Sequence, residues 1–145
     1  MFSPAYSRSL GQAASFASAY RNVGVETGVT DASPHKLIEM LFDGYMEALK
    51  QARGYLASGQ IELKGKALSK AARIVDEGLK ACLNIKDGGR LAQDLHDLYA
   101  YLTLRLTLAN VRNDPSVIVE CERLMQPLCE AWKAIGPQVN GGRLN

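Results

Sequence analysis

The sequence predicts an all-α fold, an antiparallel up-down four-helix bundle preceded by an N-terminal arm, mobile or docked. Three observations lead there. Apolar residues recur at three- and four-residue steps in four separate stretches, which is the period of a helix with one buried side. Short breakers separate these stretches: Ser58-Gly59, Asp87-Gly88-Gly89 and Asn113-Asp114-Pro115. No stretch alternates apolar and polar residues as a half-buried strand would. Helices of similar length joined by connections of a few residues pack as antiparallel neighbours. A chain of 145 residues forms one domain, divided here into an arm over 1–31, a bundle over 32–136 and a flexible C-terminal tail over 137–145.

The arm is rich in Ser, Ala and Gly, with Tyr6, Phe16 and Tyr20 scattered through it. Gly24, Gly28 and the β-branched Val23, Val25, Thr27, Val29 and Thr30 disfavour a stable helix. The first helix opens at Ser33-Pro34. Ser33 can accept from free first-turn amides, and Pro34 suits a position whose N–H has no partner. Lys36 stands where a capping-box Glu would sit, so the cap is partial. Leu37, Leu41, Tyr45, Ala48, Leu49, Ala52 and Leu56 mark its inner side. The second helix, Ile61 to Leu83, carries Leu68, Ala72, Val75, Leu79 and Leu83. The third, Arg90 to Val111, carries Leu91, Leu95, Leu98, Leu102, Leu106 and Ala109. Asp114 and Pro115 cap and open the fourth, which carries Val117, Cys121, Leu124, Leu128, Trp132 and Ile135 before Gly136-Pro137.

Two helices have more apolar surface than one stripe needs. On the third, Tyr101, Leu104, Leu108 and Val111 fall at helical spacing well round the cylinder from the main leucines. On the second, Ala67, Ala71, Ile74, Gly78, Ala81 and Ile85 form a small-residue seam that points away from the Leu68–Val75–Leu79 stripe. Small residues admit another helix closely. Gly78 inside a helix costs about 1 kcal/mol against Ala, so a compensating contact is expected. Two readings stand: a groove for a partner helix between the second and third helices, or seams covered by the arm or a second copy. An open groove of this kind invites an occupant.

Composition narrows the function. The formal charge is +2 and no Lys/Arg block occurs, which argues against nucleic acid or an anionic membrane as main partner. No basic segment followed by an apolar run suggests a secretory signal, and no apolar stretch reaches the roughly 20 residues of a membrane span. Cys82, Cys121 and Cys129 are odd in number, without CxxC spacing, and read as reduced thiols. His96 on the third helix invites comparison with phosphotransfer bundles, but Asp94 and Asp97 flank it and oppose a phosphoryl donor. His35 and Glu39 share a face without making a metal site, and paired Glu-x-x-His elements are missing. No catalytic, cofactor or metal constellation is expected. Arg105 and Asn110 are polar on the third helix; Asn110 could bond the frayed end of a partner helix. Asp43 is either solvated or an anchor for the arm.

The run Ser33-Pro34-His35-Lys36-Leu37-Ile38-Glu39-Met40-Leu41-Phe42-Asp43-Gly44 resembles the helix-opening signature of the flagellin-specific export chaperones, the FliS family. Lys64-Gly65 with Lys70-Ala71, Gly88-Gly89, Leu98-Tyr99-Ala100-Tyr101, Ala109-Asn110 and Ala131-Trp132 resemble later family elements, in order. Phe42 replaces a frequent Tyr, and the segment before Tyr20 is longer than in many members. The resemblance implies a cytosolic, non-enzymatic chaperone without cofactor. It would hold the C-terminal segment of flagellin in apolar grooves, prevent polymerisation and keep flagellin competent for flagellar type III secretion. Ala67, Ala71, Ile74, Gly78, Ala81, Tyr101, Leu104, Leu108, Asn110 and Val111 are the expected partner-binding residues. Tyr20 and Val23 are the expected docking residues of the arm. Components of the flagellar export gate are a further class of partner, and self-association could replace flagellin when it is absent.

Overall fold

The computed structural model describes residues 32–144, with side chains as far as Gly136. Helix α1 is Pro34–Ala57, α2 is Ile61–Arg73, α3 is Ile85–Arg112 and α4 is Pro115–Leu144. A π-helical segment, Ile74–Leu79, carries α2 onward. Ser33 caps α1 as expected, its hydroxyl accepting from Lys36 N at 3.1 Å. Gly59, at φ +75°, ends that helix: Gln60 N donates to Tyr55 O and Gly59 N to Leu56 O. This is the paired C-terminal closure that a left-handed glycine permits. Asn113, at φ 53°, turns the chain out of α3, and Asp114 Oδ1 accepts from the Ser116 amide and hydroxyl.

Each helix packs on two neighbours round a ring, α1 and α3 each against α2 and α4. The ring is antiparallel. Asp43, early in α1, pairs with Lys133 late in α4, while Arg53, late in α1, pairs with Glu122 early in α4. Inside lie Tyr45, Tyr99, Ile38, Leu41, Leu49, Leu68, Leu79, Leu102 and Leu106, all essentially without exposed surface. The Tyr45 hydroxyl donates to Cys121 O at 3.1 Å, so its one polar atom is satisfied in the core.

Several boundaries and stripes differ from expectation. The second helix gives way to turns after Leu79, because the wider π turn ends with Lys80 N bonded to Val75 O. The Gly88-Gly89 break holds at Gly89, where φ 58° and ψ −138° interrupt α3 after a first turn capped by Asn84. Leu124, expected inside α4, is 37% exposed, and Met125 takes the inner position. The expected stop at Gly136-Pro137 is absent: helical backbone runs to Leu144, where a flexible tail was expected. A proline within a helix removes one i→i−4 bond and forces a kink, which is not always enough to end it. The expected arm, including Tyr20 and Val23, lies outside the described residues.

Candidate functional site

The seam expected on the second helix is used by the bundle itself. Ala67, Ala71, Ile74 and Gly78 are buried, as are Leu68, Val75 and Leu79. The two stripes are offset by one residue, about 100° of helix, so a helix wedged between α1 and α3 hides both. A Cβ on Gly78 would lie 3.0 Å from Leu41 Cδ2, so the small residue admits α1 rather than a guest. Ala81, past the end of the π segment, is exposed. The α2 half of the expected groove is therefore corrected to core.

The α3 half faces outward. Tyr101, Leu104 and Val111 are 42%, 59% and 75% exposed, and Leu108 is half-buried. Beside this stripe a groove of about 210 Å³ does run between α2 and α3. Its α2 wall is Leu68, Ser69 and Ala72, and its α3 wall is Leu106, Thr107, Asn110 and Val111. Past Ser69 and Asn110 it opens into a basin of about 520 Å³ with Glu62, Gly65, Lys66, Lys70 and Arg73.

Asn110 is already engaged. Lys64, only 2% exposed, donates from Nζ to Asn110 O at 2.9 Å and Asn110 Oδ1 at 2.6 Å. The ammonium thus lies in the last turn of α3, where helix carbonyls and the dipole favour a cation. A partner's backbone would have to compete with Lys64 for that side-chain oxygen.

On the α4 side, Glu120 ties the outer stripe down. Its carboxylate accepts from Tyr101 Oη at 2.6 Å and from Arg105 Nε at 2.8 Å. The Tyr101 bond first, and Arg105 next, hold the Glu120 carboxyl below its ordinary range, and the same bond lifts the Tyr101 phenol. Tyr101 is thus an oriented ring rather than a free one.

A second apolar opening, about 220 Å³, lies between the start of α3 and the latter part of α4. Phe42, Leu91, Leu95, Tyr99, Leu128, Ala131, Trp132 and Ile135 line it. Sequence reading assigned most of these to core stripes and so missed it. The available signal was position: a stripe loses its cover where a helix begins or ends. Here Leu91 is 50% exposed, and Leu95, Leu128 and Ile135 are half-buried. Trp132 is held by His35, whose ring stacks on the indole at 4.6 Å between centroids.

The other candidates are dispersed. His96 is partly exposed, with Nδ1 3.5 Å from Asp97 Oδ1. Asp43 forms its ion pair with Lys133. All three cysteines are buried, and burial lifts Cys82 and Cys121 to about 12 and Cys129 to about 11. Among the described residues no group of His, Cys, Asp and Glu could hold a metal ion, and no helix is long and apolar enough to cross a membrane.

The sequence profile of the family described as flagellar protein FliS matches residues 16–139. The chain belongs to the FliS family. It is 51% identical to the flagellar secretion chaperone FliS of Salmonella typhimurium over 122 residues, covering 84% of this chain and 90% of that one. Similarity to the flagellar secretion chaperone FliS of Escherichia coli is 42% over 115 residues, 79% of this chain and 85% of the other. Flagellar secretion chaperone FliSB of Pseudomonas aeruginosa is 40% identical over 116 residues, 80% and 91% of the two chains. In this FliS-family protein the motif residues meet in space. Lys64 reaches Asn110, a Cβ added at Gly65 would lie 3.5 Å from the same Asn110 Oδ1, and His35 meets Trp132.

Proposed function

We propose that this FliS-family protein is a non-enzymatic cytoplasmic export chaperone that binds the C-terminal segment of flagellin. The bound segment is kept from polymerising and competent for flagellar type III secretion, with export-gate components as later contacts. The reading rests on one observation: the outer stripe Tyr101–Leu104–Leu108–Val111 stays on the surface next to the α2/α3 groove. Family membership supports flagellin as the occupant. Tyr20 and Val23 of the arm would cover apolar surface until flagellin arrives.

The energetics suit reversible capture. Burying an aliphatic side chain stabilises by roughly 1.5–3 kcal/mol, and ordering a disordered segment opposes binding by roughly 2–5 kcal/mol. A few such contacts at Leu104, Leu108 and Val111 leave a modest surplus.

Leu108→Asp with Leu104→Asp should abolish capture of a flagellin C-terminal peptide while unfolding stays cooperative. Capture retained by that variant would place the site elsewhere. Ile74→Glu, by contrast, should unfold the bundle, since Ile74 is fully buried. Incubation with a phosphodonor should leave His96 unlabelled; acid-labile label there would favour a phosphotransfer module instead.

A further inference from the structure

We propose that the basic basin at the α2 end of the α2/α3 groove recognises an acidic flank on the helix that the groove binds. The inference rests on the groove being a helix site and adds the chemistry of its occupant. Lys66, Lys70 and Arg73 stand four and three residues apart, so they share one exposed edge of α2 over about two turns. The basin they line shares Ser69 and Asn110 with the apolar groove, so the two form one continuous channel. Its floor is aliphatic, from Leu68, Ala72 and Leu106, and one rim is cationic.

Among the described residues, Glu62 is the one acid lining the basin, and Arg73 alone of the three cations has a carboxylate beside it, Glu77 at 3.3 Å. The rim therefore carries unmatched positive charge along one helical edge. The matching shape is an amphipathic helix with aliphatic residues on one face and Glu or Asp at three- and four-residue steps along the flank. Residues 1–31 do not match: Arg8 and Arg21 balance Glu26 and Asp31. A polynucleotide matches poorly as well, because no aromatic ring lines the groove for a base to stack on.

The test uses the full chain and two labelled synthetic helical peptides with the same Leu/Ala face, one with Glu along the flank and one with Gln. An exposed pair of charges is worth about two- to threefold, so three give on the order of tenfold tighter binding of the Glu peptide at low salt. The gap should close at about 0.5 M salt, where screening acts within about 4 Å, and in the Lys66→Gln/Lys70→Gln/Arg73→Gln variant. The loss should lie mainly in the association rate. Equal affinities, or a Glu preference that survives in the variant, overturn the acidic flank and leave the groove standing, because the Gln peptide still binds. Failure of both peptides overturns the groove as well, and a mass of two chains by light scattering then identifies a second copy as its occupant.

Discussion

His35 and Trp132 satisfy each other across the bundle. The indole Nε1 donates to His35 O at 3.0 Å, and His35 Nε2 donates to Trp132 O at 2.9 Å. A carbonyl only accepts, so Nε2 carries the proton. The rings stack within 9° of parallel, and a Cβ on Gly136 would come 2.9 Å from His35 Cε1. The first turn of α1 thereby fixes the tryptophan that lines the α3/α4 opening.

His35→Ala removes the stacked ring and its buried hydrogen bond to Trp132 O. A loss of about 1–3 kcal/mol is expected from the lost bond and packing together. Because the chain has one tryptophan, its fluorescence reads the change directly. The variant's folded emission should shift to the red. An unshifted spectrum would mean that His35 does not hold the indole.

Two glycines make an internal contrast. Gly54→Ala in α1 meets nothing within 4 Å, so the better helix former should stabilise by about 0.5–1 kcal/mol. Gly78→Ala drives a methyl into fully buried Leu41, and overpacking of about 1–3 kcal/mol outweighs the same propensity gain. Denaturant midpoints should therefore move in opposite directions.

Lys64→Met keeps the buried stem but loses both bonds to Asn110, and about 1–2 kcal/mol should follow. Asn110→Ala leaves the charged end buried with only the backbone acceptor, and should cost about 2–3 kcal/mol. If Asn110→Ala proves the milder of the two in urea melts, the ammonium is better solvated than its 2% exposure implies.

Glu120 supplies a pH dependence with a definite sign. Its folded pKa lies below the ordinary 4.5, through the Tyr101 bond first and Arg105 second. Its contribution is complete above 4.5 and fades as pH falls through the lowered folded value. Glu120→Gln should therefore flatten the acid limb of the stability–pH profile between 4.5 and that lowered value. Tyr101 runs the other way: its raised pKa means its contribution holds below 10.0 and is lost as pH climbs beyond. Tyr101→Phe should move the Glu120 titration back toward 4.5, observed by carboxyl carbon NMR.

The first helix was the most legible part of the molecule. Leu37, Leu41, Tyr45, Ala48, Leu49 and Ala52 read as one stripe and are all buried. Caps at Ser33, Gly59 and Asn113 were equally readable, since each depends on residues within one turn. The candidate surface was half legible. On the α3 stripe Tyr101, Leu104 and Val111 are exposed and Leu108 half-buried, whereas the Ala67–Ala71–Ile74–Gly78 seam is core and the Trp132-lined opening went unseen. Periodicity reports that a helix is apolar on a side; it carries no record of which neighbour covers that side.

What the sequence determined by itself was therefore local and additive: four helices, the breaks at Gly59 and Asn113, short connections and so an antiparallel order, together with the motifs that mark the FliS family. The tertiary structure alone decided which apolar faces are spent inside. α2 lies between α1 and α3 and has both its stripes covered, while α3 keeps Tyr101, Leu104 and Val111 at the surface. Coverage depends on flanking helices far away in the chain, so apolar stripes of the same helical period become core on one rod and exposed surface on the next.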